Sequence, residues 1–266
     1  MACRILLLLL ATWLAVLSAC DTVPYTERKQ VIVIPQNQER AMGARAAREI
    51  LRTVRLADDP KLVAAVSRVG RRIAAASDAP DMDWEFHVID DDRVANAFCL
   101  PGGKIFVYSG ILRVARDEDE LAAVMAHEVA HALARHGAER ATLELGAQLG
   151  GALVALALGD EDPRLAEIAS RIWGYGTNLG LVLPYGRKQE YEADAIGLRL
   201  MDKAGCDMEG AARFWENMRR ADAPKPLSAF LSTHPTDEKR LERIRRDIRE
   251  IRATRQKARE AAPLRP

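Results

Sequence analysis

The stretch from Asp117 to Arg135 contains neither Pro nor Gly and repeats apolar residues at helical spacing, with Leu121, Val124, Met125, Val129, Ala132 and Leu133 among them. It predicts one uninterrupted, largely buried helix, and Asp117 followed by Glu120 resembles a capping box at its start. Inside that apolar run stands His127-Glu128-Val129-Ala130-His131. Residues i and i+4 of a helix share a face, so the two imidazoles converge on one point. Neutral imidazole is a preferred zinc ligand. Glu128, one residue round from His127, is placed to reach a water rather than the metal and to act on it as general base. The pattern implies metal-assisted hydrolysis of a peptide bond.

A catalytic zinc site normally has three protein ligands, so two His leave the set incomplete. The residues just after the pair do not complete it. A metzincin would place Gly and His where Ala134 and Gly137 stand. His136 follows His131 by five residues, which on a continuing helix turns it away, and it reads as a solvent or loop residue. The segment Arg187 to Asp194 opens a second helix in which Glu190 and Asp194 stand four apart on one face, with Glu192 pointing to roughly the opposite side. This spacing favours Glu190 as the third ligand, with Glu192 or another acid the alternative. Asp194 would then accept a hydrogen bond from the distal nitrogen of a ligating His and fix its tautomer.

Four blocks in order now carry a resemblance. They are Asn96-Ala97-Phe98 with Pro101 to Val107 and Ser109-Gly110; His127 to His131 with its extension to Arg140; Arg187 to Asp194; and Thr233-His234-Pro235 with Arg240. Over roughly residues 38–249 the chain resembles the CAAX prenyl protease family of zinc metallopeptidases, which includes HtpX-like heat-shock proteases and the periplasmic BepA-like and LoiP-like lipoproteins. The resemblance implies an α+β, mainly helical, gluzincin-type zincin domain with a small antiparallel sheet and one Zn2+ per chain. It implies His127, His131 and Glu190 as ligands, Glu128 as catalytic base, and Asp194 and Arg240 as supporting residues. His234 falls on a His that lies beside the metal in the family. Three roles are open to it: stabilising the developing oxyanion, occupying the open metal position, or capping a helix before Pro235.

Val94 to Phe98 and Ile105 to Tyr108 read as short strands joined by a Pro-Gly-Gly turn. The outer edge of that hairpin offers unpaired backbone groups to which an extended substrate can add, which makes Asn96, Ala97 and Phe98 the expected substrate-binding residues.

The N-terminus begins with a charged start, Met1-Ala2-Cys3-Arg4, continues as an apolar run from Ile5 to Leu17 and ends Leu17-Ser18-Ala19-Cys20. This pattern predicts a secretory signal over residues 1–19, and Leu-Ser-Ala-Cys resembles the bacterial lipobox. Cleavage before Cys20 would leave a lipidated end able to anchor the protein to a membrane. Asp21 resembles an inner-membrane retention signal, so the expectation is a periplasm-facing lipoprotein of the bacterial envelope, on the inner membrane. Residues 20–37 are expected to be the lipidated end and a polar tether, and residues 38–262 a single peptidase domain. Cys99 and Cys206 remain in the exported chain and could form one disulfide.

Predicted helices cover Gln38 to Leu56, Pro60 to Ala76, Asp207 to Arg220 and Asp237 to Ala261, and Trp84 to Ile89 reads as a strand. Leu143 to Leu158 is an apolar helix expected to cover the cleft, with a membrane-dipping role as the alternative. Gly174 to Pro184 reads as a mobile loop leading to Glu190. A net charge of +1 and 5% aromatic residues, with no basic patch interleaved with aromatics, speak against nucleic acid as a partner. The expected partners are unfolded or misassembled envelope proteins as substrates. A chaperone-like or assembly-factor lipoprotein with a structural or His234-closed zinc site is the competing expectation.

Overall fold

The computed structural model describes residues 20–79, 82–159, 183–220, 234 and 238–261. The signal segment 1–19 and most of the expected loop at 174–184 lie outside the described residues. Strands β1 (Cys20–Thr22) and β2 (Lys29–Val31) come first, followed by helices α1 (Gln36–Thr53) and α2 (Pro60–Ala75). A second sheet holds β3 (Glu85–Ile89), β4 (Ala97–Leu100) and β5 (Lys104–Tyr108). A 3-10 turn, Ser109–Arg113, leads into α3 (Glu118–Leu133), and then come α4 (His136–Gly159), α5 (Leu183–Lys203), α6 (Glu209–Arg220) and α7 (Glu238–Ala261).

The helix predicted from Asp117 is the centre of the molecule. Asp117 caps it by accepting a hydrogen bond from the Glu120 backbone N–H at 2.8 Å. The Glu120 carboxylate does not return to Asp117 as a strict capping box would; it accepts from the Arg116 N–H and the Asn217 amide. Every residue from Glu120 to Ala130 is buried. Such all-round burial suits a helix packed on several sides; α2, α5, α6 and β4 all pack against α3. Gly197 of α5 allows a close approach, since a Cβ there would meet the backbone of Ala126 and His127 at 3.3 Å. α6 contributes Ala211, Ala212, Phe214, Trp215 and Met218 from one buried stripe, and the first half of α7 adds Leu241, Ile244 and Ile248. Beyond Ile251 the rest of α7 is solvated, as its charge density predicts.

The larger sheet has the order β3-β5-β4. The expected hairpin is antiparallel, pairing Ala97 with Val107 through Leu100 with Lys104, and β3 joins it in parallel, so the sheet as a whole is mixed. Gly102 and Gly103 take φ of +84° and +88° in the connecting turn, which glycine adopts without strain. β4 is an edge strand, as the substrate-binding expectation requires.

The segment expected to be a tether is folded from Cys20 onwards. β1 pairs antiparallel with β2, Val23 is fully buried in the main core, and the Tyr25 hydroxyl donates to the Ser77 carbonyl at 2.9 Å. Cys99 and Cys206 are both free thiols, so the possible disulfide between them is not formed. Among the described residues no helix is long and apolar enough to cross a membrane. α4 does expose Leu145, Leu149 and Leu153 at successive turns.

Candidate metal centre

α3 supplies His127, Glu128 and His131, and α5 crosses it with Glu190 and Asp194 on the facing side. His234 completes the group. One donor atom from each of His127, His131, Glu190 and His234 lies within 4.8 Å of the others. The Nε2 atoms of His127 and His131 are 3.1 Å apart, and His127 Nε2 is 3.1 Å from His234 Nδ1 and 3.2 Å from Glu190 Oε2. His234 Nδ1 lies 3.0 Å from Glu190 Oε2, and His131 Nε2 lies 3.4 Å from Glu190 Oε1. Four donors arranged tetrahedrally around a zinc ion at its usual 2.0–2.1 Å would stand about 3.3 Å from one another. The cluster therefore has the spacing and the nitrogen and oxygen chemistry that zinc requires.

Glu192, the alternative third ligand, stands outside the four-residue cluster. Glu192 faces away from the cluster, and its carboxylate accepts from His136 Nε2 at 3.0 Å and from Arg28 Nε at 2.8 Å. His136 is not a solvent residue. It is buried, and its Nδ1 lies 2.9 Å from His131 Nδ1. A helix running on past His131 would turn His136 away, but α3 ends at Leu133 and Arg135 takes a left-handed φ of 54°. That break lets α4 begin at His136 and bring its imidazole back over His131. Arg135 is held in this conformation by ion pairs to Asp21 and Glu39, both at 2.7 Å.

Asp194 takes its expected place. His127 Nδ1 donates to Asp194 Oδ1 at 3.0 Å, leaving Nε2 bare toward the cluster. Arg240 grips the same carboxylate with Nε at 2.7 Å and Nη2 at 2.9 Å, and Nη1 is 3.3 Å from Glu190. Its guanidinium lies 3.7 Å over the Trp215 ring, a contact that no sequence motif signals.

These neighbours set the charges. Burial pushes the Asp194 carboxyl up, but Arg240 and His127 outweigh it and hold it below its ordinary range. Glu190, also opposed by burial, is held well below by the three imidazoles around it. Burial pulls His127 down, yet Asp194 and Glu190 raise it to about 9. His131 has less compensation, and burial takes it to about 3. Glu128 behaves differently: burial raises its carboxyl, with His234 and His127 only partly opposing. Its Oε1 is buried without a hydrogen-bond partner, 3.5 Å from His234 Nε2. The backbone of Cys99, on edge strand β4, hydrogen-bonds to the Glu128 carboxylate, which places the strand beside the base. Asn96, Ala97 and Phe98 thus sit at or next to an edge bordering the cluster; Ala97 is buried, and Phe98 stacks on Phe106 with centroids 5.1 Å apart.

Residues 60–248 match the description of peptidase family M48. The chain belongs to that family. Membership makes it a metalloprotease, and zinc is the metal on which M48 peptidases depend. A similar curated protein is the mitochondrial metalloendopeptidase OMA1 of Schizosaccharomyces pombe, 38% identical over 89% of this chain and 68% of the relative. Human mitochondrial OMA1 is 31% identical over 86% of this chain and 46% of its own length. The beta-barrel assembly-enhancing protease of Escherichia coli K12 is 28% identical over 88% and 48% respectively. The chain thus spans about half the length of two of these relatives and about two thirds of the Schizosaccharomyces pombe protein. The bacterial relative agrees with the resemblance read from the motif blocks; the mitochondrial ones were not anticipated by it.

Proposed function

We propose that this M48 peptidase is a membrane-anchored zinc endopeptidase of the bacterial envelope, with His127, His131 and Glu190 as metal ligands and Glu128 as general base. The observation that carries the reading is the Glu128 carboxylate. It is buried, its Oε1 has no hydrogen-bond partner, and it adjoins the four-donor cluster. A purely structural metal site has no use for such a group.

Zinc, when bound, supplies a Lewis acid that polarises the scissile carbonyl and acidifies a water. Glu128 accepts a proton from the attacking water and delivers it to the leaving amine. Its raised carboxyl suits both halves of that shuttle. Asp194 keeps the His127 proton on Nδ1, and Arg240 keeps Asp194 ionised and in place. The β4 edge binds substrate as an added strand, main chain to main chain. That mode reads little side-chain identity and requires an extended chain, so unfolded or unassembled proteins are the substrates it favours. The name of the Escherichia coli relative, a beta-barrel assembly-enhancing protease, supports envelope proteins as the substrate class.

Anchoring rests on the sequence: Leu17-Ser18-Ala19-Cys20 supports lipidation of Cys20, which is exposed at the start of β1. Asp21 has a structural partner in Arg135, so its acidity does not by itself support inner-membrane retention. Periplasm-facing placement is supported by the signal-like N-terminus and by the bacterial relative, while the OMA1 relatives are mitochondrial by name.

One observation favours a latched form of the same site. His234 Nδ1 stands where the fourth donor of a closed tetrahedral set would be. Cleavage then requires His234 to leave, and the same residue returns to silence the enzyme. The test combines metal content with chelator-sensitive digestion of a chemically unfolded protein. Glu128→Gln should keep zinc and lose at least about 100-fold in rate, the scale of general-base catalysis; cleavage at the wild-type rate refutes the base assignment. His234→Ala should raise cleavage if His234 is a latch and lower it if His234 assists the reaction. Zinc without cleavage in either wild type or His234→Ala supports an assembly factor instead.

A further inference from the structure

The N-terminal hairpin reaches the metal cluster through a chain of three side chains. Arg28, between β1 and β2, donates through Nε to Glu192 at 2.8 Å, and through Nη1 and Nη2 to Glu139 at 2.7 and 2.8 Å. Thr26 of the same hairpin donates to the other oxygen of Glu192. Glu192 accepts from His136 Nε2, and His136 Nδ1 meets His131 Nδ1. One tautomer pattern satisfies the whole series: a proton on His136 Nε2 facing the carboxylate leaves His136 Nδ1 as an acceptor, so His131 carries its proton on Nδ1 and offers a bare Nε2 to the cluster. Were Glu192 to drift, His136 could carry its proton on Nδ1 instead, opposing the Nδ1 proton of His131 and releasing the tautomer that metal binding needs.

The hairpin is seated firmly enough to transmit this. Val23 is fully buried, Asp21 pairs with Arg135 at 2.7 Å, and Arg199 donates to the Tyr25 carbonyl. Glu139 is buried as well, and Gln189, next to Glu190, donates to it at 2.8 Å. Arg28 is thus the cation that gathers two buried carboxylates behind the second imidazole.

We propose that Arg28 is a positioning residue for the metal ligand His131, acting through Glu192 and His136. This rests on the proposed metal centre. Outer partners of ligating His typically contribute about 10–100-fold to metal affinity.

The experiment uses the mature full chain and measures zinc affinity by competition with a chromophoric chelator, the visible spectrum of the cobalt-loaded protein, and the unfolding midpoint of the metal-free protein. Arg28→Met should weaken zinc by about 10–100-fold and alter the cobalt spectrum. Arg28→Lys, which keeps the charge and reaches fewer acceptors, should recover part of the loss. Glu192→Gln keeps the side-chain shape and should weaken zinc similarly, and adding Arg28→Met to it should cost little more. Tyr25→Phe removes only the hairpin's hydrogen bond to Ser77 and leaves Arg28 and Glu192 in place, so it should move the midpoint and leave zinc affinity within about twofold. Unchanged affinity in Arg28→Met, or in Glu192→Gln should Arg28→Met fail to fold, overturns the proposal. So does an equal loss in Tyr25→Phe, or independent losses that multiply in the double variant. Wild-type protein that takes up neither zinc nor cobalt instead refutes the metal centre itself.

Discussion

His127 and His131 present the same ring nitrogen to the cluster, yet they are supported in different ways. Behind His127 stand Asp194 and then Arg240, which is 1% exposed and packed on Trp215, so every member lies within the helical core. Behind His131 stand His136, Glu192 and then Arg28, whose side chain is 29% exposed and belongs to the N-terminal hairpin. The first support is short, dry and ends inside the domain. The second is one imidazole longer and ends at the rim. Charge follows the same division: against burial, Asp194 and Glu190 together raise His127 to about 9, while burial, joined by the neighbouring imidazoles of His127 and His136, takes His131 to about 3 against Glu190 alone. The metal centre thus has a fixed side and an adjustable side.

The largest effect should come from the fixed side. Arg240→Met leaves the Asp194 carboxylate and part of the Glu190 carboxylate buried without their cation, and breaking a buried pair in this way costs about 3–5 kcal/mol. Denaturant unfolding of the metal-free protein is the measurement, since zinc would mask part of the loss by neutralising Glu190. A cost below about 1 kcal/mol would mean that the core support is no stiffer than the rim, and the contrast would collapse.

The paired imidazoles and their nearest carboxylates were legible in the sequence and the rim support behind His131 was not, for a physical reason. His127, His131, Glu190 and Asp194 lie at i, i+4 spacings on two regular helices, where sequence distance converts directly into direction in space. His234 and Arg240 have no such spacing to the others and came only from the resemblance, and the structure places both at the cluster. His136 escapes that conversion, which fails where the helix stops. The break at Arg135 is made by a non-glycine residue in a left-handed conformation, secured by Asp21 and Glu39 from the far N-terminal region, and no local residue pattern announces it. The same blindness made residues 20–37 look like a polar tether. Val23 is buried in the main core and Arg28 reaches partners more than a hundred residues away, and a charge in a polar segment looks solvated until its partner is known. Sheet composition was read well from Pro101-Gly102-Gly103, whereas the parallel partner β3 could be placed only by tertiary packing.

The adjustable side should declare itself through pH. Glu192 is pushed up by burial and brought down to about 2 by His136, Thr26 and Arg28, against an ordinary value of 4.5. A depressed carboxyl adds stability that is fully present above about pH 4.5 and is lost as the pH falls toward 2, where the folded carboxylate at last protonates. Glu192→Gln should therefore cost about 1–3 kcal/mol at neutral pH, as for a buried hydrogen bond to a charged group. It should also flatten the fall in stability between pH 4.5 and 2, read as urea midpoints of the metal-free protein at a series of pH values. A variant whose acid profile parallels wild type would show that Glu192 does not use its charge to hold the rim.

The smallest effect separates the two sides by salt alone. Arg28 is partly open to solvent, so its pull on Glu192 is exposed to screening, and raising ionic strength from 0.1 to 1 M shortens the Debye length from about 10 to 3 Å. Arg240 is sealed and should feel none of this. A partly exposed ion pair contributes up to about 1 kcal/mol, so zinc affinity in wild type should weaken by no more than about fivefold over that range. General salt effects on the chelator competition would appear in every protein measured, and Arg28→Met provides the reference because its rim link is already gone. The expected result is a salt slope in wild type that Arg28→Met lacks and Asp194→Asn retains. Equal slopes in all three would mean that salt acts on the cluster as a whole, and the distinction between a fixed imidazole and an adjustable one would then belong to the resting geometry without reaching the metal.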